Sequence, residues 1–409
     1  MKRISVLLFL LTFFLHSVSG QVFSLKGLVT EEDNRPVYGA QVFLNGTSRS
    51  VTSDKAGRFD IAGLKPGSYE LVVTLLGYKP YSRQIRIEDQ DMEVRVPLVF
   101  HALPLKEVVV RPDPDREQNY QVFLKQFLGE SVNAAQCRII NPDVINVTFD
   151  KPERLLEADS GGEFIMIENK ALGYLVKYLL MEFRLDYKTG MLSYIGKTVF
   201  EELKPTPSRA RRWARNREKA YLGSAPHFLS AVYHGSVYEA GYQVQKLIRR
   251  PNPDRPSDSL INAQIRRFSS FRNGTLVLGR NDSVDYWVKK QKLPKINQFL
   301  VKGLIRTDSL LSVLSENRKE LKFEDCLYVT YTGEREPPEY HVWRGTFPRP
   351  LDQPNYQVSV ISRNIGTVEI DPQGNLSDPM ALFYEGYWAF EKIADMLPLD
   401  YALPLPAGS

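Results

Sequence analysis

The stretch SDKAGRFDIAGLKPGSYELVVTLLGY, residues 53–78, constrains the fold of this chain more than any other segment. Asp54 and Gly57 stand where a type I turn prefers aspartate and glycine. Pro66 and Gly67 occupy the two central positions of a type II turn, because proline presets φ and glycine accepts a positive φ. Runs rich in β-branched and aromatic residues separate and follow these turns. The stretch therefore predicts alternating turns and strands.

Further strands of the same kind surround this unit. The segments FSLKGLVT and AQVFLNGT precede it, and RQIRI and EVRVPL follow it with alternating charged and apolar residues. Such alternation is typical of strands that bury one face and expose the other. Six or seven short strands with regularly spaced turns predict a β-sandwich of roughly ninety residues.

Several motifs inside this region form a specific combination. In chain order they are G-x-V, P-V-x-G-A-x-V, T-x-x-x-G-x-F, L-x-P-G-x-Y and G-Y. The segment from Phe23 to Val110 resembles the carboxypeptidase regulatory-like domain, a transthyretin-like or immunoglobulin-like sandwich of seven strands. The resemblance implies a domain without catalytic residues, which accompanies zinc carboxypeptidases and begins many envelope proteins of Gram-negative bacteria. It implies no peptidase activity.

The first twenty residues have the features of a secretory signal peptide. Lys2 and Arg3 precede the apolar run ISVLLFLLTFFLHSV, and Val18 and Gly20 form a small-residue cleavage site before Gln21. We therefore expect export, and together with the resemblance we expect the periplasm or the cell surface of a Gram-negative bacterium. No later apolar run reaches the length of about eighteen residues that a transmembrane helix requires.

The remaining chain predicts an α+β region. A Pro-rich, charged segment at 111–119 predicts a linker between the sandwich (21–110) and an α+β domain of unknown function (120–409). YQVFLKQFLGESV (120–132) predicts an amphipathic helix, and two long strand-like runs around Lys188–Gly190 predict a hairpin. We also expect helix within 207–240 and a late helix that begins near residue 381 and ends before Pro398.

Familiar catalytic and metal-binding patterns are missing from the sequence. There is no H-E-x-x-H and no G-x-S-x-G motif, and His227 and His234 would lie about 10 Å apart on one helix, too far for one metal ion. The formal charge of +5 is too small for a nucleic-acid footprint. The sequence thus predicts no metal, no cofactor and no nucleic-acid partner.

The chain contains two cysteines, Cys137 and Cys326. After export they could form one disulfide, which would contribute about 4 to 5 kcal/mol in the chain-entropy model. The alternative is two buried free thiols, and the sequence leaves both open.

One cluster of charge stands out, in the segment RARRWARNREK. Arginine binds phosphate and carboxylate groups bidentately, so the segment could contact an envelope protein, anionic lipid or polysaccharide. The alternative is a solvated helix whose tryptophan lies in the core. Three nearby residues could line a polar pocket. The candidate binding residues are Arg209, Arg211, Arg212, Trp213, Arg215, Arg217, Tyr221, Ser224 and His227.

Two classes of function follow. The first is a non-enzymatic, exported envelope protein whose sandwich acts as an interaction module. The alternative is a hydrolase with an unfamiliar site in the α+β region, for which converging carboxylates in a cleft would be the signature.

Overall fold

The computed structural model describes residues 22–101, 115–272, 275–277, 282–315, 317–344, 354–364 and 366–403. Its first seven strands form two facing sheets. One sheet has the order β4-β1-β7 and the other β3-β2-β5-β6. Their inward residues, among them Leu25, Val42 and Leu71, form one core. The predicted sandwich is therefore confirmed. Its strands are β1 (Phe23–Glu31), β2 (Gln41–Leu44), β3 (Ser50–Thr52), β4 (Arg58–Leu64), β5 (Gly67–Thr74), β6 (Tyr81–Ile87) and β7 (Met92–Leu98).

The two predicted turns have different outcomes. Gly57 donates its N–H to the Asp54 carbonyl at 2.9 Å with a φ of 74°, so this turn is present. The type II turn at Pro66–Gly67 is wrong, because Gly67 pairs with Ile87 as the first residue of β5 and its φ is not positive. The signal peptide (1–20) and residues 102–114 lie outside the described residues.

A six-stranded sheet covered by one helix follows. Strand β12 pairs along its whole length with β13, which confirms the hairpin, and pairs along its other edge with β11 and β10. Phe123 and Phe127 of the helix pack against Phe183 and Tyr178 of β12. The elements are α1 (Arg116–Leu128), β8 (Cys137–Ile139), β9 (Asn146–Asp150), β10 (Leu155–Asp159), β11 (Phe164–Asn169), β12 (Tyr174–Asp186) and β13 (Met191–Glu202). Helix α1 thus begins inside the predicted linker.

The sandwich packs directly against this second sheet. Thr47 forms a parallel bridge with Val199 of β13, and the Gly46 N–H donates to the Thr198 carbonyl at 2.7 Å. Val199 also shares a small apolar cluster with Phe43 of the sandwich. The contact therefore joins β13 to the β2–β3 turn through both backbone and side chains.

The third sheet has five antiparallel strands in the order β17-β14-β20-β21-β23, and the small sheet β18-β19-β22 accompanies it. Together with the helices it makes the region after the sandwich a mixture of helix and strand. The strands are β14 (Tyr242–Pro251), β15 (Ser270–Arg272), β16 (Thr275–Val277), β17 (Ile296–Leu304), β18 (Leu311–Ser315), β19 (Arg318–Leu321), β20 (Cys326–Arg335), β21 (Tyr356–Arg363), β22 (Glu369–Ile370) and β23 (Leu382–Gly386). The helices are α2 (Pro207–Tyr221), α3 (Ala225–His234), α4 (Asp258–Phe268), α5 (Asp282–Lys292), α6 (Pro338–Arg344) and α7 (Tyr387–Phe390).

The expected late helix is wrong. Residues Leu382–Gly386 form β23 on the edge of β21, and Gly386 then turns the chain with a φ of 76°. Only Tyr387–Phe390 is helical, followed by a 3-10 turn at Ile393–Asp395. Pairing with β21 thus outweighs the local helical pattern.

The disulfide is not formed, and both cysteines are free thiols. Cys137 lies on β8 against the core of the second sheet, whereas Cys326 lies on β20 in a separate cluster with Tyr328 and Val360. Burial raises the pKa of Cys137 to about 12 and also raises the pKa of Cys326, so neither is a reactive thiolate. Within the described ranges no helix is long and apolar enough to cross a membrane.

Candidate functional site

Helix α2 is held against the protein by its tryptophan. Trp213 is 5% exposed, and its indole N–H donates to the Lys170 carbonyl at 2.9 Å in the turn between β11 and β12. A Cβ atom on Gly173 of the same turn would overlap the indole ring. Trp213 is therefore a core residue and does not face a partner, which corrects its assignment as a binding residue.

Arg217 also serves this attachment. Its guanidinium donates to the Leu172 carbonyl at 2.7 Å, pairs with Glu202 at 2.7 Å and lies 3.9 Å from the centre of the Tyr174 ring. Asn216 adds a bond of 2.8 Å to the Ala171 carbonyl. Trp213, Asn216 and Arg217 thus hold the inner face of α2 against the turn between β11 and β12, so Arg217 is a structural residue.

Four arginines of α2 are exposed, and we call this set the basic face: Arg209, Arg211, Arg212 and Arg215. Arg212 makes one long hydrogen bond of 3.4 Å to the Lys170 carbonyl. Across the described ranges none of the four is within ion-pair distance of a carboxylate. The arrangement combines a fixed helix with four exposed guanidinium groups that have no carboxylate partner among the described residues.

The three residues predicted to line a polar pocket come together, but they contact one another. Ser224 accepts the His227 N–H at 3.3 Å as the N-cap of α3, and the rings of Tyr221 and His227 lie 5.2 Å apart. The Gly223 N–H donates to His227 Nδ1 at 3.2 Å, and burial lowers the pKa of His227 to about 4. This group is neutral packing between α2 and the third sheet. None of the three lines the cleft described next.

A cleft of about 290 Å³ opens where α2, the third sheet and the C-terminal segment meet. Four carboxylates line it, from Glu334, Glu339, Glu391 and Asp395, with the Lys219 ammonium as the cation in the lining. The rings of Tyr387 and Phe390 form an apolar wall. The sequence did not reveal this site because its residues come from five separated segments with no motif in common.

Two of the carboxylates lie in surroundings that disfavour charge. Burial raises the pKa of Glu391 well above its ordinary value, and the nearby Asp395 and Glu334 raise it further. Burial also raises the pKa of Asp395, although Ser131 and Asn133 donate hydrogen bonds of 2.7 and 3.0 Å to it. Asp395 is thus held in place, whereas the Glu391 carboxyl makes no hydrogen bond or ion pair with the described residues.

The amide of Gln357 completes the cleft. Gln357 is 4% exposed, and its Nε2 donates to Glu334 at 3.1 Å. Its Oε1 is buried beside Gly223, away from the cleft lining, without a hydrogen-bond donor among the described residues. No three histidine, cysteine, aspartate or glutamate side chains in the described part of the chain are grouped so that they could hold a metal ion.

Comparison with protein families supports the resemblance stated above. Residues 24–99 match the model of the carboxypeptidase regulatory-like domain. These residues form a carboxypeptidase regulatory-like domain. Comparison of the chain with curated proteins gives no match.

Solved structures with partial similarity include 3-chlorocatechol 1,2-dioxygenase from Rhodococcus opacus, at 9% identity over 20% of this chain and 62% of that one, with a TM-score of 0.17. A streptococcal ancillary pilin matches at 14% identity over 20% of this chain and 34% of that one (TM-score 0.18). A cohesin–X-dockerin complex from Acetivibrio cellulolyticus matches at 22% identity over 20% and 58% (TM-score 0.16). The chain therefore spans less than two thirds of each of these proteins.

Proposed function

We propose that the protein is an exported, non-enzymatic cell-envelope protein that binds an anionic surface through the basic face of α2. The observation that carries this proposal is the set of four exposed guanidinium groups, none of which pairs with a carboxylate in the described part of the chain. The inner side of the same helix is fixed by Trp213 and Arg217, so the basic face is presented on a rigid support.

Phosphate of lipid head groups is the partner that fits this face best. Guanidinium groups bind phosphate bidentately, and each basic residue near an anionic membrane contributes about 1 kcal/mol. The basic face is then worth about 4 kcal/mol in favourable surroundings. An acidic protein or polysaccharide of the envelope is the alternative partner, which the experiment below distinguishes.

The sandwich would act as a second contact surface. Leu76 and Phe100 are 78% and 68% exposed, and the Phe100 ring packs edge-on against Tyr78 at 5.7 Å. Leu76 lies between β5 and β6, and Phe100 follows β7 and forms a bridge with Tyr78. They support the proposal that the domain is an interaction module.

The decisive variant reverses Arg211, Arg212 and Arg215 to Glu. Losing three favourable contacts of about 1 kcal/mol each predicts binding to phosphatidylglycerol vesicles at least 100-fold weaker, measured by co-sedimentation. Added salt should reproduce the loss for the unchanged protein, because exposed charges are screened. Circular dichroism should remain the same, since exposed charges contribute little to stability.

A matched control reverses three exposed arginines of the sandwich, Arg83, Arg86 and Arg95, to Glu. The net-charge change is the same, so vesicle binding should fall far less if position matters. Equal binding by the unchanged protein and the α2 variant contradicts the lipid proposal. Loss of an envelope-protein complex without loss of vesicle binding would assign the basic face to a protein partner.

Export itself is tested by processing. We propose that signal peptidase removes residues 1–20, so mass spectrometry of the protein from the envelope fraction should find Gln21 as the first residue. A chain that retains Met1 in the cytosolic fraction contradicts this part of the proposal.

Hydrolysis in the cleft is a second candidate function, favoured by the four carboxylates that converge there. The Glu391 carboxyl, whose pKa burial raises, would be the proton donor. Turnover of aryl glycosides by the unchanged protein, abolished by Glu391→Gln, would support this candidate. Absence of turnover with intact ligand binding would favour the binding protein.

A further inference from the structure

Strand β17 (Ile296–Leu304) lies at the edge of the third sheet. It pairs with β14 along one side, and none of the described strands pairs with its other side. An edge strand presents N–H and C=O groups without partners in its own sheet, and native proteins usually protect such an edge with charged side chains, proline or a covering segment. In β17 the one charged residue is Lys302, and the strand contains no proline. The free side of β17 can therefore pair with another strand.

The hydrogen bonds to β14 determine which backbone groups of β17 point to the free side. Asn252, which follows β14, donates its N–H at 3.0 Å to the carbonyl of Lys295, which precedes β17. Residues that exchange hydrogen bonds alternate with residues that do not along an antiparallel pair. Asn297 and Phe299 therefore bond to β14. The residues between and beside them direct their N–H and C=O groups outward: Ile296, Gln298 and Leu300.

A register shift in the second half of β17 leaves this alternation unchanged. The paired residues on either side of the shift are Leu300 with Leu247 and Leu304 with Gln245. Between these pairs β17 has two more residues than β14, and an even number preserves the alternation. The Ile305 N–H accordingly donates to the Val244 carbonyl at 2.8 Å, and the Gln245 amide donates to the carbonyls of Val301 and Lys302. The free side therefore has the backbone groups of residue 300 at its centre.

The side chains of β17 form a pattern that is the same in both directions. Written as apolar (H) and polar (P) residues, with Gly303 counted as polar, INQFLVKGL gives HPPHHHPPH. Four of its apolar side chains are between 41% and 56% exposed: Ile296, Phe299, Val301 and Leu304. Apolar side chains that are exposed together along an unpaired edge are typical of an interaction site.

A two-fold axis at Leu300 matches this pattern with itself. In an antiparallel pair of two β17 strands about that axis, the residues that face each other are Phe299 with Val301, Ile296 with Leu304 and Gln298 with Lys302, each pair formed twice. Two of these pairs are apolar, and the third sets an amide opposite an ammonium, so no like charges face each other. Leu300 lies opposite its own symmetry mate, and its outward N–H and C=O groups allow the two residues to exchange hydrogen bonds.

Two other occupants fit this edge less well. A lipid surface would leave the outward N–H and C=O groups without hydrogen bonds, which is costly in hydrocarbon. A strand of an unrelated protein would have to carry apolar residues at the matching positions, whereas a second copy supplies them by symmetry. A second copy of this chain is thus the partner whose residues match the edge.

We propose that two copies of the chain associate through β17, in an antiparallel pair centred on Leu300 that makes their third sheets one continuous sheet. The interface is isologous, because each copy contributes the same strand. This inference concerns the third sheet and is independent of the basic face of α2.

The first test is sedimentation velocity of the chain from Gln21 onwards over a range of protein concentrations. We expect a monomer–dimer equilibrium. Val301→Lys should weaken the dimer at least tenfold, because the dimer contains the substituted pair twice and an ammonium replaces an apolar contact in each. Val313→Lys is the matched control, since Val313 is 74% exposed on β18, the outer strand of a different sheet. It should leave the association unchanged.

Two results of this test would overturn the inference. One is a protein that sediments as a monomer at every concentration, and the other is a dimer that Val301→Lys leaves at full strength. Circular dichroism checks that the variants fold, and Phe299→Lys replaces Val301→Lys if the latter unfolds, with the same tenfold weakening expected.

Cross-linking tests the register of the pair. Phe299→Cys and Val301→Cys proteins, carrying tags of different size, are mixed and mildly oxidised. Opposite residues that are not hydrogen-bonded have Cα atoms about 4.5 Å apart, which is within the range for a disulfide. We expect a mixed disulfide, and far less product from Phe299→Cys alone, because the two copies of residue 299 do not face each other. The unchanged protein, with its two free thiols, sets the background.

Hydrogen exchange resolved by residue distinguishes strand pairing from a contact between side chains alone. Raising the protein concentration should slow exchange of the Leu300 amide, which points outward in the monomer and is bonded in the dimer. The Phe299 amide, which bonds to β14 in either state, should change little. A dimer in which the Leu300 amide exchanges as fast as in the monomer, or a mixture that yields no mixed disulfide, contradicts the proposed pairing.

Discussion

Gly173→Ala combined with Trp213→Ala tests the attachment of α2 quantitatively. Gly173 has a φ of 77°, and an added methyl group would overlap the Trp213 ring. The positive φ costs about 1 kcal/mol for a residue with a Cβ atom, and overpacking adds about 1–3 kcal/mol. Gly173→Ala should therefore lower the free energy of unfolding by about 2–4 kcal/mol when Trp213 is present.

Removing the indole changes that cost. Trp213→Ala alone should lose about 3–5 kcal/mol, because it deletes a buried ring and its hydrogen bond to Lys170. In this background the new methyl meets no ring, so Gly173→Ala should cost only about 1 kcal/mol. The two changes should thus couple by about 1–3 kcal/mol in a double-mutant cycle.

Urea denaturation followed by circular dichroism measures all four proteins. Gly190→Ala is the matched control, because Gly190 has a similar φ of 74° with open space around its Cβ position. It should cost about 1 kcal/mol in both backgrounds. If the losses of unfolding free energy at Gly173 and Trp213 were additive, the two residues would not be in contact, and Trp213 would have to be assigned to the surface of α2.

Two further predictions concern single groups. Burial raises the pKa of Glu70, but hydrogen bonds from Lys197 and Ser82 outweigh it and lower the pKa below its ordinary value. The stability that results is present above the pKa of the unfolded state and is lost as the pH falls through the pKa of the folded state. Glu70→Gln should therefore lower the free energy of unfolding by about 1.5–3 kcal/mol at neutral pH. In thermal melts the difference in melting temperature between the variant and the unchanged protein should become smaller in acid but not in alkali. Cys137 and Cys326 should react with a thiol reagent slowly in the folded protein and promptly in denaturant, whereas an unreactive denatured chain would indicate a disulfide.

The residue types within short segments correctly predict a turn, a hairpin and the start of a helix in this fold. The turn at Asp54–Gly57 and the hairpin at Lys188–Gly190 are present because their residues favour the required backbone angles. Pro207 begins α2 as expected, and the helical stretch divides at Gly223, whose φ is 85°.

Long-range pairing explains the failures. Residues 382–386 join β21 as an edge strand, which no property of that segment alone indicates. The cleft unites Gln357 with Glu334 and Glu391 only after the third sheet and the C-terminal segment have packed. For the basic segment, composition alone could not tell Trp213 and Arg217, which point inward, from the arginines of the basic face.

The position of the membrane contact is the most direct test of the proposed function. A polarity-sensitive dye placed at Ser208→Cys, which is exposed and lies three and four residues before Arg211 and Arg212, reports on the basic face of α2, and the same dye at Gln84→Cys reports on the sandwich. With phosphatidylglycerol vesicles, we predict a blue shift of emission at position 208, reversed by salt, and no shift at position 84. A shift at position 84 alone, or none at either position while the protein sediments with vesicles, would contradict the assignment of the basic face.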